Sequence, residues 1–216
     1  MGSRILIDGL IMYLGLLVLL TFHEFGHAWM ALRCGDDTAQ SRGRVSLNPL
    51  AHIDPIGTVA LPLLMILLPG LSGFLIGWAK PVPVNPYNLR NPKVDDILVT
   101  LAGPWMNLLL AIVLMGVARV GLVVHSASMM EIGMNWARLS LMLCFFNLIP
   151  IPPLDGSQVL RSVTGMSYEA YAQFARFGFI VLIIALQFQP LQYGLALVTL
   201  KSQSIIGGWF GIPMYY

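Results

Sequence analysis

Five long apolar stretches alternate with polar segments along the chain. The stretches run over residues 5–32, 56–79, 97–124, 132–149 and 171–200. Each is close to or longer than the roughly 18 to 20 residues that an α-helix needs to cross a hydrocarbon core about 30 Å thick. The pattern therefore predicts an all-α polytopic membrane protein with about four to five transmembrane helices, folded as one membrane-embedded domain over residues 1–216.

The second apolar stretch, residues 56–79, differs from the others because helix-breaking residues interrupt it. Pro62, Pro69 and Gly70 lie within it, and two further glycines follow. Proline removes a helical hydrogen bond and glycine weakens a helix interior, so an unbroken helix is disfavoured here. The stretch is either a kinked span or a re-entrant hairpin that returns to the side of the membrane from which it entered.

Two polar connections contain short segments typical of β strands. Residues 44–47 and 81–84 are the candidates, and two prolines restrict the second segment to the edge of a sheet because proline has no N–H to donate. The C-terminal residues 201–216 end in aromatic side chains that favour the membrane–water boundary, which predicts an interfacial tail.

Composition supports a membrane protein and excludes other classes. Of the 216 residues, 57% are hydrophobic and 10% are charged, and the mean hydropathy is +0.77. A soluble core of this size would need more polar side chains to cover it. The net charge of +2 includes no basic run, so we expect the lipid bilayer as a partner and no nucleic acid. The two cysteines form no paired motif, and no pattern specifies the oligomeric state.

The first apolar stretch contains the sequence His23-Glu24-Phe25-Gly26-His27. Residues four apart lie one turn apart on the same face of a helix, so both imidazoles can reach one ion. Glu24, next to the first histidine, can approach a water molecule at that ion. At about 1.5 Å per residue, the motif lies roughly 27 Å from the start of the stretch, near the far boundary of the bilayer. The motif therefore suggests zinc chemistry inside a membrane.

A third metal ligand is needed, because catalytic zinc usually takes three protein ligands and leaves one position for water. Asp155 is the best candidate, since it follows the fourth apolar stretch through a proline-rich segment. The alternative is that Asp155 is an ordinary N-cap for a helix that begins near Ser157.

Three motifs resemble those of the site-2 proteases, which are intramembrane zinc metalloproteases. They are the metal motif at residues 23–27, Ala-Gly-Pro-Trp-Met-Asn at residues 102–107, and Asn147 followed by Pro-Leu-Asp-Gly at residues 153–156. Segments 48–55 and 78–85 also resemble the compact prokaryotic branch without a PDZ or CBS domain. The resemblance covers residues 20 to about 160, and the three motifs occur in the family's order.

The resemblance implies one zinc ion per chain, with His23, His27 and Asp155 as its ligands and Glu24 as general base and acid. A glutamate in this position can take a proton from the attacking water and pass it to the leaving amine. The resemblance therefore implies peptide hydrolysis.

Asn107 and Asn147 are further catalytic candidates. An amide in an apolar helix is costly unless it has a partner, and the resemblance suggests donation to the substrate backbone or to the developing oxyanion. The alternative is hydrogen bonding between helices without catalysis. His52, between two proline-containing turns, either lines a polar path for water or caps a loop, and the second interpretation is favoured.

These features predict an intramembrane zinc endopeptidase that hydrolyses peptide bonds in or near transmembrane segments, as in regulated intramembrane proteolysis. Its partners would be membrane proteins with transmembrane helices. One alternative is a membrane protein that binds or transports zinc, in which Glu24→Gln would be tolerated. The other is a non-catalytic scaffold that binds membrane helices, in which removal of the metal would leave binding intact.

A shared metal site also predicts topology. The first and fourth stretches must point the same way if both end near the ion, so with the third stretch antiparallel to them, residues 56–79 form a re-entrant hairpin rather than a full crossing. Eight of the 12 lysines and arginines then lie on the metal side. This excess favours an active site towards the cytoplasm, in a prokaryotic cell membrane as the resemblance implies.

Overall fold

The computed structural model describes residues 2–68 and 77–212, which are mostly helical. The two longest helices have 32 residues each. Turns of 3-10 geometry at Pro49–Ala51 and Pro86–Asn88 and a π-helical segment at Pro55–Ala60 lie in the connections. The α-helices are α1 (Gly2–Arg33), α2 (Thr38–Ser41), α3 (Leu61–Leu67), α4 (Pro92–Val123), α5 (Ala127–Asn147), α6 (Asp155–Thr164), α7 (Tyr168–Ala175), α8 (Gly178–Ala185) and α9 (Gln189–Trp209).

Helix α4 is the central helix and packs along both α1 and α5. Small residues allow α4 and α5 to approach closely, as is typical of helices packed in membranes. A Cβ added at Gly133 of α5 would lie 2.7 Å from the backbone nitrogen of Ala118, closer than side-chain atoms pack. The fully buried hydrophobic residues at this interface are Ala111, Met115, Ala118, Ala137 and Leu141.

Local signals in the sequence account for several helix ends. Helix α4 begins at Pro92, where the fixed φ of proline suits a first helical turn. The Ser126 side chain accepts a hydrogen bond from the N–H of Met129 and so caps α5. Gly165, with φ of 71°, ends α6 in the left-handed conformation that glycine adopts at little cost.

Fewer helices than predicted are long and apolar enough to cross a membrane. Among the described residues there are two, Leu6–Arg33 and Pro92–Val123, or three if α7 and α8, bent by 53° at their junction, form one span. The prediction of about four to five transmembrane helices is therefore wrong. Helix α5 is long enough, but polar residues that include Glu131 and Arg138 lower its hydropathy. The last apolar stretch, residues 171–200, is divided among α7, α8 and α9.

The prediction of β strands at residues 44–47 and 81–84 is also wrong, since the described part of the chain contains no strand. A side chain links the two segments in place of backbone pairing. The Arg44 guanidinium donates to the carbonyl oxygen of Lys80 and, at 3.3 Å, to that of Pro81. The two prolines of the second segment remove the N–H groups that a ladder would need.

The segment predicted as a re-entrant hairpin, residues 56–79, is described only at its two ends. The first end forms the π-helical segment Pro55–Ala60 and α3, and residues 69–76 lie outside the described residues. The two ends lie side by side, because the N–H of Trp78 donates to the carbonyl oxygen of Gly57 at 3.1 Å. The chain therefore returns to the point at which this segment begins.

The C-terminal residues do not all lie at the surface. Residues 201–209 are the last turns of α9, and residues 213–216 lie outside the described residues. Gln203, which is fully buried, accepts a hydrogen bond from Arg138 at 2.9 Å and donates to the carbonyl oxygen of Met134 at 2.8 Å. These two hydrogen bonds fix the end of α9 against α5.

Candidate metal centre

Two histidines of α1 and the first residue of α6 converge in a buried cluster. The Nε2 atoms of His23 and His27 lie 3.1 Å apart, and they lie 3.3 Å and 3.4 Å, respectively, from Oδ2 of Asp155. The exposed fraction is 4% for His23 and 9% for Asp155. The structure thus brings together the three residues that were predicted to bind a metal, although they come from helices far apart in the sequence.

The spacing of these three atoms fits a zinc ion. Tetrahedral zinc binds nitrogen and oxygen at about 2.0–2.2 Å, so two of its ligand atoms are separated by roughly 3.3–3.6 Å. The distances of 3.1–3.4 Å in the cluster are close to this range. Oδ2 of Asp155 is also buried without a hydrogen-bond donor, which is costly for a carboxylate unless a cation is bound to it.

The orientation of His27 favours metal binding through Nε2. Its Nδ1 atom lies 2.8 Å from the carbonyl oxygen of Val99, which can only accept a hydrogen bond. Nδ1 therefore carries the proton, and the lone pair of Nε2 points to the cluster. The Nδ1 atom of His23 faces a different partner, the side-chain amide of Asn107, at 3.1 Å.

Gly103 of α4 leaves the space in which the two histidine rings lie. A Cβ at this position would be 2.3 Å from Nε2 of His27 and 2.7 Å from Cε1 of His23. Any side chain here would therefore displace the ligand atoms. The sequence contained this glycine within a recognised motif, but only the packing of α4 against α1 shows what it does.

Glu24 lies beside the cluster and contacts a segment from another part of the chain. Its Oε2 atom accepts a hydrogen bond from the backbone N–H of Val82 at 3.0 Å, and 9% of the residue is exposed. The contact holds one carboxylate oxygen in place. We call residues 77–85, which include Val82, the strap.

Several polar contacts fix the strap besides the one to Glu24. The N–H of Lys80 donates to the carbonyl oxygen of His52 at 2.8 Å, and the N–H of Asn85 donates to Oδ2 of Asp36 at 2.7 Å. Burial opposes ionisation of Asp36, but hydrogen bonds from Thr38 and Asn85 outweigh it and lower the pKa of the carboxyl group. The anionic form of Asp36 is thus the one that holds the end of the strap.

A buried ion pair positions the helix that carries Asp155. The guanidinium of Arg161, in α6, donates to the carboxylate of Asp96, in α4, and both residues are buried. The Arg161 guanidinium also lies over the ring of Tyr168, 3.9 Å from its centroid. Sequence reasoning missed this pair, because its members are far apart in the chain and belong to no local motif.

The remaining predicted residues lie in distinct surroundings. Asn147 ends α5, and its side-chain N–H donates to the carbonyl oxygen of Leu143 at 2.9 Å. His52 is buried in the loop after α2, with Nε2 2.8 Å from the carbonyl oxygen of Ser46. No described contact joins either residue to the metal cluster, so a catalytic role for Asn147 stays a prediction.

Apolar helices around a buried His-His-Asp cluster, with a glutamate next to the first histidine, define a membrane-embedded metallopeptidase. The model of Peptidase family M50 matches residues 11–135 and 123–186 of the chain. The chain belongs to this family. The resemblance to site-2 proteases and the prediction of a zinc metallopeptidase are therefore confirmed.

Curated relatives support the same assignment. YwhC of Bacillus subtilis, a candidate zinc metalloprotease by name, is 38% identical over 78% of this chain and 76% of its own. Rip2 of Mycolicibacterium smegmatis, named in the same way, is 34% identical over 80% of this chain and 64% of its own. Rip2 of Mycobacterium tuberculosis is 36% identical over 79% of this chain and 65% of its own. The chain thus spans slightly less than two thirds of the Rip2 relatives, and no solved structure matches it.

The substitution Gly103→Ala tests the space at the cluster. Its methyl group would lie 2.3 Å from Nε2 of His27, so we expect zinc affinity to fall by more than about 100-fold. The control is Gly116→Ala on the same helix, where the nearest atom is a ring carbon of Phe210 at 3.5 Å. Zinc bound per chain, measured by elemental analysis at graded chelator concentrations, should fall only for Gly103→Ala. Equal zinc binding by both variants would show that the space at Gly103 is not needed for the metal ligands.

Proposed function

We propose that the chain is an intramembrane zinc endopeptidase that cuts peptide bonds in or near the transmembrane segments of other membrane proteins. The observation that supports this most strongly is the position of the metal cluster. His23 and His27 lie within Leu6–Arg33, one of two helices in the described part of the chain that are each long and apolar enough to cross a membrane. Polar groups are expensive in such a helix, so the two histidines, which meet Asp155 of α6 there, are best explained by a function of the site.

The metal ligands and Glu24 have different roles in peptide hydrolysis. Zinc held by His23, His27 and Asp155 supplies, when bound, a Lewis acid that polarises the scissile carbonyl group and activates water. Glu24 takes the proton of the attacking water and returns it to the leaving amine. The N–H of Val82 holds Oε2 of Glu24 at 3.0 Å, which leaves Oε1 for proton transfer.

The substrate must lose part of its helical structure before it is cut. A transmembrane helix keeps its carbonyl groups in internal hydrogen bonds, so an intact helix presents no free peptide bond to a nucleophile. Glycine and proline weaken a helix, and serine and asparagine compete for its backbone hydrogen bonds. The proposed substrates are therefore transmembrane segments that contain such residues near the cleaved bond.

The proposal extends to orientation, with the active site towards the cytoplasm of a prokaryotic cell. Support comes from the connection between the two long apolar helices Leu6–Arg33 and Pro92–Val123. Residues 33–93 contain six of the 12 lysines and arginines, which all lie on the metal side if the segment at residues 56–79 does not cross. Basic residues are more frequent in cytoplasmic loops of membrane proteins.

The substitution Glu24→Gln separates a peptidase from a protein that only binds or transports zinc. Purified protein would be incubated with single-span substrates that contain either Gly, Pro, Asn and Ser or only Leu near the cleavage region. We expect faster cleavage of the first set, loss of cleavage with chelator, and a rate about 10²- to 10⁴-fold lower for Glu24→Gln with zinc retained. Glu169→Gln, at an exposed position of α7, should match the wild type. Full activity of Glu24→Gln would overturn the proposal.

Labelling from the two sides of the membrane tests the orientation. Cysteine at Ser41, after α1, should react only with reagent from the cytoplasm, and cysteine at Ser126, after α4, only with reagent from outside. The native residues Cys34 and Cys144 are buried and should give little background. Reaction of both introduced cysteines from one side would contradict the arrangement.

A further inference from the structure

We propose that Asn107 is a positioning residue that holds His23 in the tautomer whose Nε2 atom can bind zinc. This inference rests on the proposed metal site but not on the identity of the substrate. It gives the asparagine a different task from that predicted from the sequence, namely contact with the substrate or with the oxyanion.

The two ends of the Asn107 amide have unequal surroundings. Nδ2 lies 3.1 Å from Nδ1 of His23, whereas Oδ1 is buried without any hydrogen-bond partner. The residue is fully buried. A buried amide oxygen with no donor is costly, so Oδ1 of Asn107 needs a hydrogen-bond donor.

That donor is His23 itself in the metal-binding tautomer. A neutral imidazole carries one proton, so a ring whose Nε2 lone pair binds zinc must carry it on Nδ1. Rotation of the Asn107 amide by half a turn brings Oδ1 to the position opposite Nδ1. The Nδ1–H group of His23 then donates to Oδ1, so the ring proton and the amide oxygen each gain a partner.

The other histidine shows the same arrangement. Nδ1 of His27 lies 2.8 Å from the carbonyl oxygen of Val99, which fixes its proton there. Val99, Gly103 and Asn107 are four residues apart, so they lie on one face of α4. Along this face, Val99 provides the acceptor for His27, and Gly103 leaves space for the ring atoms of both histidines. Asn107 then provides the acceptor for His23. Helix α4 thus orients both ligands of α1.

The backbone of α4 is also fixed at this turn. The Ser140 hydroxyl of α5 donates to the carbonyl oxygen of Asn107 at 2.6 Å, and both residues are fully buried. The amide is therefore held at a defined distance from His23. Hydrogen bonds of this kind to metal-binding histidines set the ring orientation and typically contribute 10- to 100-fold to metal affinity.

Two substitutions distinguish a role of Asn107 as hydrogen-bond acceptor from a role in packing alone. Asn107→Asp keeps the acceptor and removes the N–H donor, whereas Asn107→Leu keeps the approximate volume and removes both. We expect zinc affinity, measured by competition with a chelator in detergent solution, to fall about 10- to 100-fold for Asn107→Leu and to stay within about threefold of wild type for Asn107→Asp. Asn135→Leu, at an exposed position of α5, is the matched control and should bind zinc normally.

The outcomes distinguish this inference from the proposed function. Thermal unfolding of the zinc-free proteins identifies any variant that fails to fold, and the aspartate variant then still tests the acceptor. Equal losses for Asp and Leu, or normal affinity for Leu, would overturn the positioning role. Wild-type protein that binds zinc with the expected ranking of variants but cuts no substrate would overturn the peptidase proposal and support the role of Asn107.

Discussion

The close approach of one carboxylate to two imidazoles inside an apolar layer governs how the surrounding helices are arranged. The three ligand atoms lie 3.1–3.4 Å apart, and they come from α1 and the first residue of α6. A buried, unpaired carboxylate is unfavourable by several kcal/mol or more, so this geometry persists only if the surrounding helices enforce it and a cation completes it.

Helix α4 provides most of that enforcement. It contacts α1, α5 and α6, and one of its faces meets both histidines through Val99, Gly103 and Asn107. Near its beginning, Asp96 binds Arg161 and so fixes α6 in the position that brings Asp155 to the cluster. The same helix therefore aligns all three ligands, although it contributes none of them.

The chemistry could be predicted from the sequence because its central part is local. His23, Glu24 and His27 lie within five residues, and helix periodicity alone places the histidines on one face. Gly103 and the pair of Asp96 and Arg161 could not be found in this way, since their importance arises only from packing between distant segments. The number of spans predicted from the length of apolar stretches was wrong, because polar residues within α5 lower its hydropathy. The predicted β strands were wrong because the Arg44 side chain, rather than backbone pairing, links the two segments.

X-ray absorption spectroscopy of zinc bound to the purified wild-type protein shows directly whether His23, His27 and Asp155 hold the ion. We expect coordination by nitrogen and oxygen at about 2.0–2.2 Å, with the outer-shell scattering of two imidazole rings. Conversion of Asp155 to alanine should remove one light ligand and leave both rings. A sulfur ligand at about 2.3 Å, or scattering from fewer than two imidazoles, would show that these three residues do not hold the ion.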